Sequence, residues 1–249
     1  MPEPLHDALE LYLRRLCLRT QLGRQERDAI MALPGEMTIV DVEHDFVRLG
    51  EKVEHACLIV DGMAARFAQL RNGQRGIVAL HLPGDMADLH SVVAPETSWA
   101  LHATTPTKIA RIPHKALRDL SERFPSLALA FWRDCVVDAS ILAQWTLNLS
   151  RKDAAARLAH LFSEMRYRYA AVGALRKGSF PFPITQTTLA DALGLTPVHL
   201  NRILKRLREQ AILVKSLDRI DVGDPEQLAI LGEFDDAYLQ GLPKPDASL

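Results

Sequence analysis

The chain has 249 residues, 48% of them apolar, which is enough for one large or two ordinary packed domains. Its formal net charge of -1 averages over three blocks: residues 1–150 carry 16 basic and 19 acidic side chains, residues 151–223 carry 13 and 6, and residues 224–249 carry 1 and 6. A basic block between two acidic ones points to a nucleic-acid-binding segment that the total conceals. No apolar run reaches the ~18 residues of a membrane span. The first fifteen residues mix acidic and basic side chains and lack the pattern of a secretory signal. Cys17, Cys57 and Cys135 lie far apart, which gives neither a disulfide framework nor a Cys-x-x-Cys metal knuckle; reduced thiols in a cytoplasmic protein are expected.

Residues 5–33 have helical spacing, with Leu9, Leu13, Leu16 and Leu22 among charges, closed by Pro34-Gly35. Seven short apolar runs come next, at 37–42, 46–49, 56–60, 64–70, 76–82, 99–103 and 108–112, and predict strands of a sandwich or barrel. Asn72-Gly73 predicts a type I′ hairpin turn, which needs positive φ at both residues. After Pro113 the texture is helical: 114–124 is a short helix stopped by Pro125, and 126–149 is a long one. Its stripe of Ala128, Phe131, Trp132, Cys135, Ala139, Leu142, Trp145 and Leu149 predicts self-association into a homodimer, the alternative being packing on its own domain. Ser150, with Asp153 three residues on, predicts the cap of a helix reaching about residue 170. Residues 173–180 read as a loop, and Pro181-Phe182-Pro183 enforces an extended approach to the helical segment beyond it.

Residues 184–210 contain two helical patterns separated by Gly194-Leu195-Thr196. Glycine suits a left-handed turn, Thr196 can cap the second helix, and Pro197 fits its first position. Leu200, Ile203, Leu204 and Leu207 form that helix's buried stripe, and Val198, Arg202, Lys205 and Glu209 point away from it, flanked by His199 and Arg206. The short helix, glycine turn, capped second helix and local positive charge together predict a helix-turn-helix that enters the major groove of double-stranded DNA. Residues 211–222 read as a hairpin wing. Residues 225–231 predict a short helix, and 233–249 an acidic, solubilising tail.

Here the residues carry a resemblance. The run from Ile184 through Leu204 is similar to the helix-turn-helix of the CRP/FNR family of bacterial transcription regulators. In the first half, Leu49-Gly50-Glu51, Leu58-Ile59-Val60-Asp61-Gly62, Gly73 and Leu82-Pro83-Gly84-Asp85 resemble, in order, the family's cyclic-nucleotide-binding jelly roll. The resemblance spans about residues 35–223 and implies an α+β chain. Its parts would be a sensor roll at 1–124, a dimerisation helix at 125–149, a winged helix-turn-helix at 150–232 and a tail at 233–249. It implies a homodimer on a palindromic operator, with RNA polymerase as a partner if the protein activates; no cofactor is expected. By carry-over, Thr185, Gln186, Thr187 and Thr196 hold phosphates; Val198, His199 and Arg202 read bases; and Asn201, Lys205 and Arg206 lie on the same surface. Arg202 suits a bidentate contact to guanine, whereas Val198 stands where the family usually carries glutamate, so the operator is expected to differ from the family's best-known sites.

The effector pocket would be built from Gly84, Asp85, Asp88, Leu89, Thr97 and Ser98. The cyclic-AMP motifs are altered there: Ala87-Asp88-Leu89 replaces Gly-Glu-Leu/Ile, and Thr97-Ser98-Trp99 replaces Arg-Ser/Thr-Ala. With no arginine at 97 and a tryptophan at 99, cyclic-AMP binding is expected to be lost or much weakened, and the effector stays open. Three scattered cysteines cannot supply the four of an iron–sulfur sensor. A haem would take an axial ligand such as His44, His55, His81, His90 or His102, though single histidines on strands are more often core or surface residues. Cys135 as a redox sensor stands against its reading as a small core residue. The alternative function, a metabolite- or metal-binding enzyme whose C-terminal helices serve assembly, needs a nucleophile–base pair or a ligand-spaced cluster, and neither is present at recognisable spacing.

Overall fold

The computed structural model describes residues 3–73 and 75–240 and divides between Ala139 and Ser140 into two compact units. The first starts with two helices, α1 (Glu3–Cys17) and α2 (Arg24–Met31), rather than one. The break is held from outside: Arg133 donates to the carbonyl of Arg19 (2.9 Å) and to the Thr20 hydroxyl (3.0 Å), and Arg19 pairs with Asp134 at 3.0 Å. Local helical spacing is overruled there by hydrogen bonds to a segment more than a hundred residues away.

All seven predicted strands form: β1 (Glu36–Val40), β2 (Asp45–Val47), β3 (His55–Asp61), β4 (Ala64–Gln69), β5 (Arg75–His81), β6 (Ala100–Ala103) and β7 (Thr107–Pro113). They make two antiparallel sheets, ordered β1-β7-β3 and β2-β6-β4-β5. Val40, Phe46, Cys57, Ile59, Ala64, Leu101 and Ile109 fill the space between them, so the alternation in sequence has become the inside of a jelly roll. The β4–β5 turn is not type I′: Gly73 has φ +88° but Asn72 is not left-handed, and the Gly73 amide donates to Leu70 at 2.9 Å. With five residues between the strands, a turn closed by one left-handed glycine serves, and the second positive φ is not needed. Gly84 is needed for two reasons. Its φ is +85°, and a Cβ there would lie 2.5 Å from the Cβ of Leu11, so α1 rests directly on this turn.

A short α3 (His114–Arg123) leads into α4 (Pro125–Arg151), a helix of 27 residues. In the first unit, Leu127, Ala130 and Phe131 of α4 join the core beneath α1, and Phe131 stacks on Tyr12 with centroids 6.5 Å apart. Another face of α4 is exposed: Leu129 at 47%, Trp132 at 67%, Val136 at 55%, and Ala139. The broad stripe read from the sequence is therefore two faces. Phe131 belongs to the inner one, whereas Trp132 and Ala139 belong to the outer.

In the second unit, Asp153, not Ser150, caps α5 (Ala154–Ala171), accepting from the Ala156 amide at 2.8 Å. Ser150 is still inside α4 and donates to the Leu147 carbonyl at 3.0 Å. The expected loop at 173–180 ends in a strand, β8 (Ser179–Pro181), which joins the wing strands β9 (Leu213–Lys215) and β10 (Arg219–Val222) in the order β8-β10-β9. Between β8 and β9 lie α6 (Gln186–Ala192) and α7 (Pro197–Glu209).

The chain does not fray after the wing, as far as it is described. α8 (Pro225–Gly232) packs on α5 so closely that a Cβ on Gly232 would fall 2.5 Å from the His160 amide nitrogen. Glu233 turns the chain at φ +45°, and Phe234 and Tyr238, the latter in α9 (Ala237–Gln240), cover His160. Tyr238 donates at 2.9 Å to the fully buried carboxylate of Glu164, which also accepts from the Trp145 indole at 3.0 Å. Burial and neighbouring Lys152 push the His160 imidazole down to about 4, so it is neutral in the fold at pH 7. The tail expected at 233–249 is thus a packed cap up to Gln240, and 241–249 lie outside the described residues.

Candidate nucleic-acid interface and sensor interior

The helix-turn-helix is built by local rules. Thr185 caps α6, its hydroxyl accepting from the Thr188 amide at 3.1 Å; Gly194 makes the turn at φ +61°; and Thr196 caps α7, accepting from the His199 amide at 3.2 Å. Leu200, Ile203 and Leu207 are buried and Leu204 half-buried, anchoring one side of α7. Thr185, Gln186, Thr187, Thr196, Val198, His199, Asn201, Arg202, Lys205 and Arg206 are all exposed. Along α7 the exposed set runs from small or hydrogen-bonding groups at the N-terminal end to cations further on. Lys205 lies 3.8 Å from Glu209, an exposed i,i+4 pair of little strength. Among the described residues no acidic group lies within ion-pair distance of Arg202 or Arg206. A rigid, capped helix with a neutral leading end and unneutralised arginines behind it can enter a groove and meet both base edges and phosphates.

The six residues expected to line an effector pocket do not converge. Asp85 turns outward to Arg15 of α1 at 3.0 Å and accepts from the Leu82 amide at 2.6 Å, with Gly84 beneath α1 beside it. Thr97 is buried with its hydroxyl donating to the Arg48 carbonyl, while Ser98 is exposed. Leu89 is buried in the core with α1. Asp88 alone points into the roll, where one oxygen accepts from the Cys57 amide at 2.6 Å and the other, also buried, has no partner.

The roll nevertheless holds a cation that lies outside those motifs. Arg66 of β4 is 1% exposed, its guanidinium 5.2 Å from the Trp99 ring centroid and paired with Asp138 of α4 at 2.7 Å. In the sequence Arg66 is one arginine within an apolar strand run, and nothing local to it names its partner. His90 accepts from the Trp99 indole at 3.3 Å, and His102 is held by Asp45 at 2.7 Å. Burial first and the nearby Asp134 second push the Cys135 thiol up to about 12, which disfavours the thiolate that a redox sensor needs.

Burial pushes the Asp88 carboxyl up to about 6, against the Cys57 amide and Arg66, which favour its ionised form. A raised carboxyl stabilises the fold fully below its unfolded value near 4, and that contribution is lost as pH rises through about 6. Asp88→Asn should therefore flatten the fall in stability between about pH 4 and 6 by roughly 2–3 kcal/mol. Urea denaturation at pH 4.5 and 7 measures it; equal pH slopes in wild type and variant would show that Asp88 is ionised throughout.

Residues 44–124 match the family described as cyclic nucleotide-binding domain, and residues 156–231 match the Crp-like helix-turn-helix domain. The chain is 23% identical over 201 residues to the fumarate and nitrate reduction regulatory protein of Vibrio cholerae, covering 81% of this chain and 80% of that one. It is 24% identical over 204 residues to the transcriptional activator protein FnrA of Stutzerimonas stutzeri, covering 81% and 82%. The structure of FixK2 from Bradyrhizobium japonicum superposes with a TM-score of 0.71 at 25% identity, covering 80% of this chain and 98% of that one. The chain belongs to the CRP/FNR family of transcription regulators. As a member of this family it is a DNA-binding regulator, and the enzyme alternative falls away. Among the described residues no helix is long and apolar enough to cross a membrane.

Proposed function

We propose that the protein acts in the cytoplasm as a homodimer that binds a palindromic operator sequence-specifically and without cyclic AMP. The observation that carries this reading is the division of α7 into a buried stripe and an exposed face on which, among the described residues, no acidic group lies within ion-pair distance of Arg202 or Arg206. Val198, His199 and Arg202 read base edges. Thr185, Gln186, Thr187 and Thr196 hold phosphates, and Asn201, Lys205 and Arg206 extend that surface. The exposed face of α4, from Leu129 through Trp132 and Val136 to Ala139, is the dimer seam, since its 3–4 spacing is that of paired helices. RNA polymerase is a further partner if the protein activates.

Selection of bound sequences from random duplexes, followed by gel shift, tests the reading. The expected product has two inverted half-sites with centres about 10–10.5 base pairs apart, because a twofold dimer sets two recognition helices on one side of the duplex. A single asymmetric half-site would overturn the dimeric arrangement.

Cyclic AMP is expected not to bind at micromolar levels. Thr97 offers no charge and its hydroxyl is engaged, while the interior cation, Arg66, is already paired with Asp138. Losing one charge-assisted contact forfeits about 1.5–3 kcal/mol, and opening the existing pair adds to that, so binding falls by two or more orders of magnitude. Titration calorimetry decides it: a micromolar dissociation constant would mean that the phosphate displaces Asp138 from Arg66.

A further inference from the structure

Arg66 is the largest fully buried side chain among the described residues, and it carries a charge. One guanidinium nitrogen donates to Asp138 at 2.7 Å and another to the Ala87 carbonyl, with the Trp99 ring beside them. Its Nε is buried without a partner. A guanidinium in the interior is tolerated only while an anion stays beside it. Asp138 is the anion hydrogen-bonded to it, with the buried Asp88 carboxyl also within its electrostatic reach, and the Asp138 side chain is 32% exposed. The pair therefore joins β4 and the Ala87 segment to one particular turn of α4. That turn also carries Val136 and Ala139 of the exposed face. A second polar tie, Arg19 to Asp134, lies one turn earlier and reaches the break between α1 and α2 rather than the roll.

We propose that the Arg66–Asp138 pair is a latch: it fixes the end of the roll-bound half of α4 and so sets the position of the seam residues next to it. The fork of the guanidinium makes it directional, one nitrogen on the roll's backbone and one on the helix, so movement of either element breaks a charged hydrogen bond. The effect on association rests on the dimer proposed above; the effect on the helix itself does not.

The test uses Asp138→Asn, the double variant Arg66→Met with Asp138→Asn, and the conservative Asp138→Glu. Asp138→Asn alone takes the hydrogen-bonded anion away from a buried guanidinium, whereas the double variant removes both charges of the pair and is expected to keep the fold. Hydrogen exchange on the full chain reads the helix, and sedimentation reads association. In both broken-latch proteins the amides of residues 133–139 should exchange about tenfold or more faster while β3, β4 and β7 stay protected, as local opening requires. Dimer dissociation should rise about tenfold, equivalent to about 1.4 kcal/mol. Asp138→Glu should remain close to wild type in both readouts. Unchanged exchange at 133–139 in the double variant overturns the latch. Uniform loss of protection across the roll, or failure of both broken-latch variants to fold, also overturns it, since the pair is then an ordinary part of the core. A wild type that sediments as a monomer refutes the dimer reading alone, and the exchange result still decides the latch.

Discussion

Replacing Trp132 and Val136 together by lysine is expected to leave the folded protein monomeric and to lower operator affinity at least a hundredfold. Both side chains stand mostly in solvent, at 67% and 55% exposure, on a helix whose other side is already committed to the core. Fully burying such a side chain is worth about 1.5–3 kcal/mol, and a symmetric interface uses each position twice, so the double change removes several kcal/mol and adds like-charge repulsion. A monomer offers one recognition helix where the operator has two half-sites. Sedimentation equilibrium and gel shift read the two effects. The informative control is Phe131→Ala, which removes the ring stacked on Tyr12 in the core and should cost about 3–5 kcal/mol of stability without being a seam change. A lysine double variant that still sediments as a dimer would place the seam elsewhere.

Arg202→Ala is expected to weaken specific binding by about 1–3 kcal/mol, roughly ten- to hundredfold, while leaving affinity for random duplex nearly unchanged. Arg202 is exposed on α7, one turn beyond Val198 and opposite the buried Leu200–Ile203–Leu207 side, and among the described residues no acidic group lies within ion-pair distance of it. Arg206→Ala, further from the leading end, should instead weaken both kinds of binding alike and reduce the slope of log K against log salt by about 1, as a phosphate contact does. Titrations of both variants at several salt concentrations separate the roles. Equal losses on specific and random DNA would make Arg202 a backbone contact and leave base reading to His199 and its neighbours.

The helix-turn-helix could be read from the chain because everything that makes it is local. Thr185 and Thr196 cap within three residues, Gly194 supplies its own left-handed turn, and the leucine stripe of α7 comes from 3.6-residue periodicity. The seven strands of the roll were legible for the same reason: alternation and turn residues act over two to five positions. What sequence periodicity could not do was divide the stripe of α4 between two faces. Phe131 and Trp132 are adjacent and equally apolar, yet one stacks on Tyr12, 119 positions away, and the other faces solvent. The break after α1 and the packing of Tyr238 on His160 were likewise settled by partners far along the chain. By itself, then, the sequence determined the family's two domains, the reading helix and its charge, because helix, turn and strand signals are short-range and additive. Only the tertiary structure decided which side of α4 is exposed and where the charge of Arg66 goes. Burial and ion pairing depend on distance in space, and the long stretches of chain between such partners leave no periodic trace.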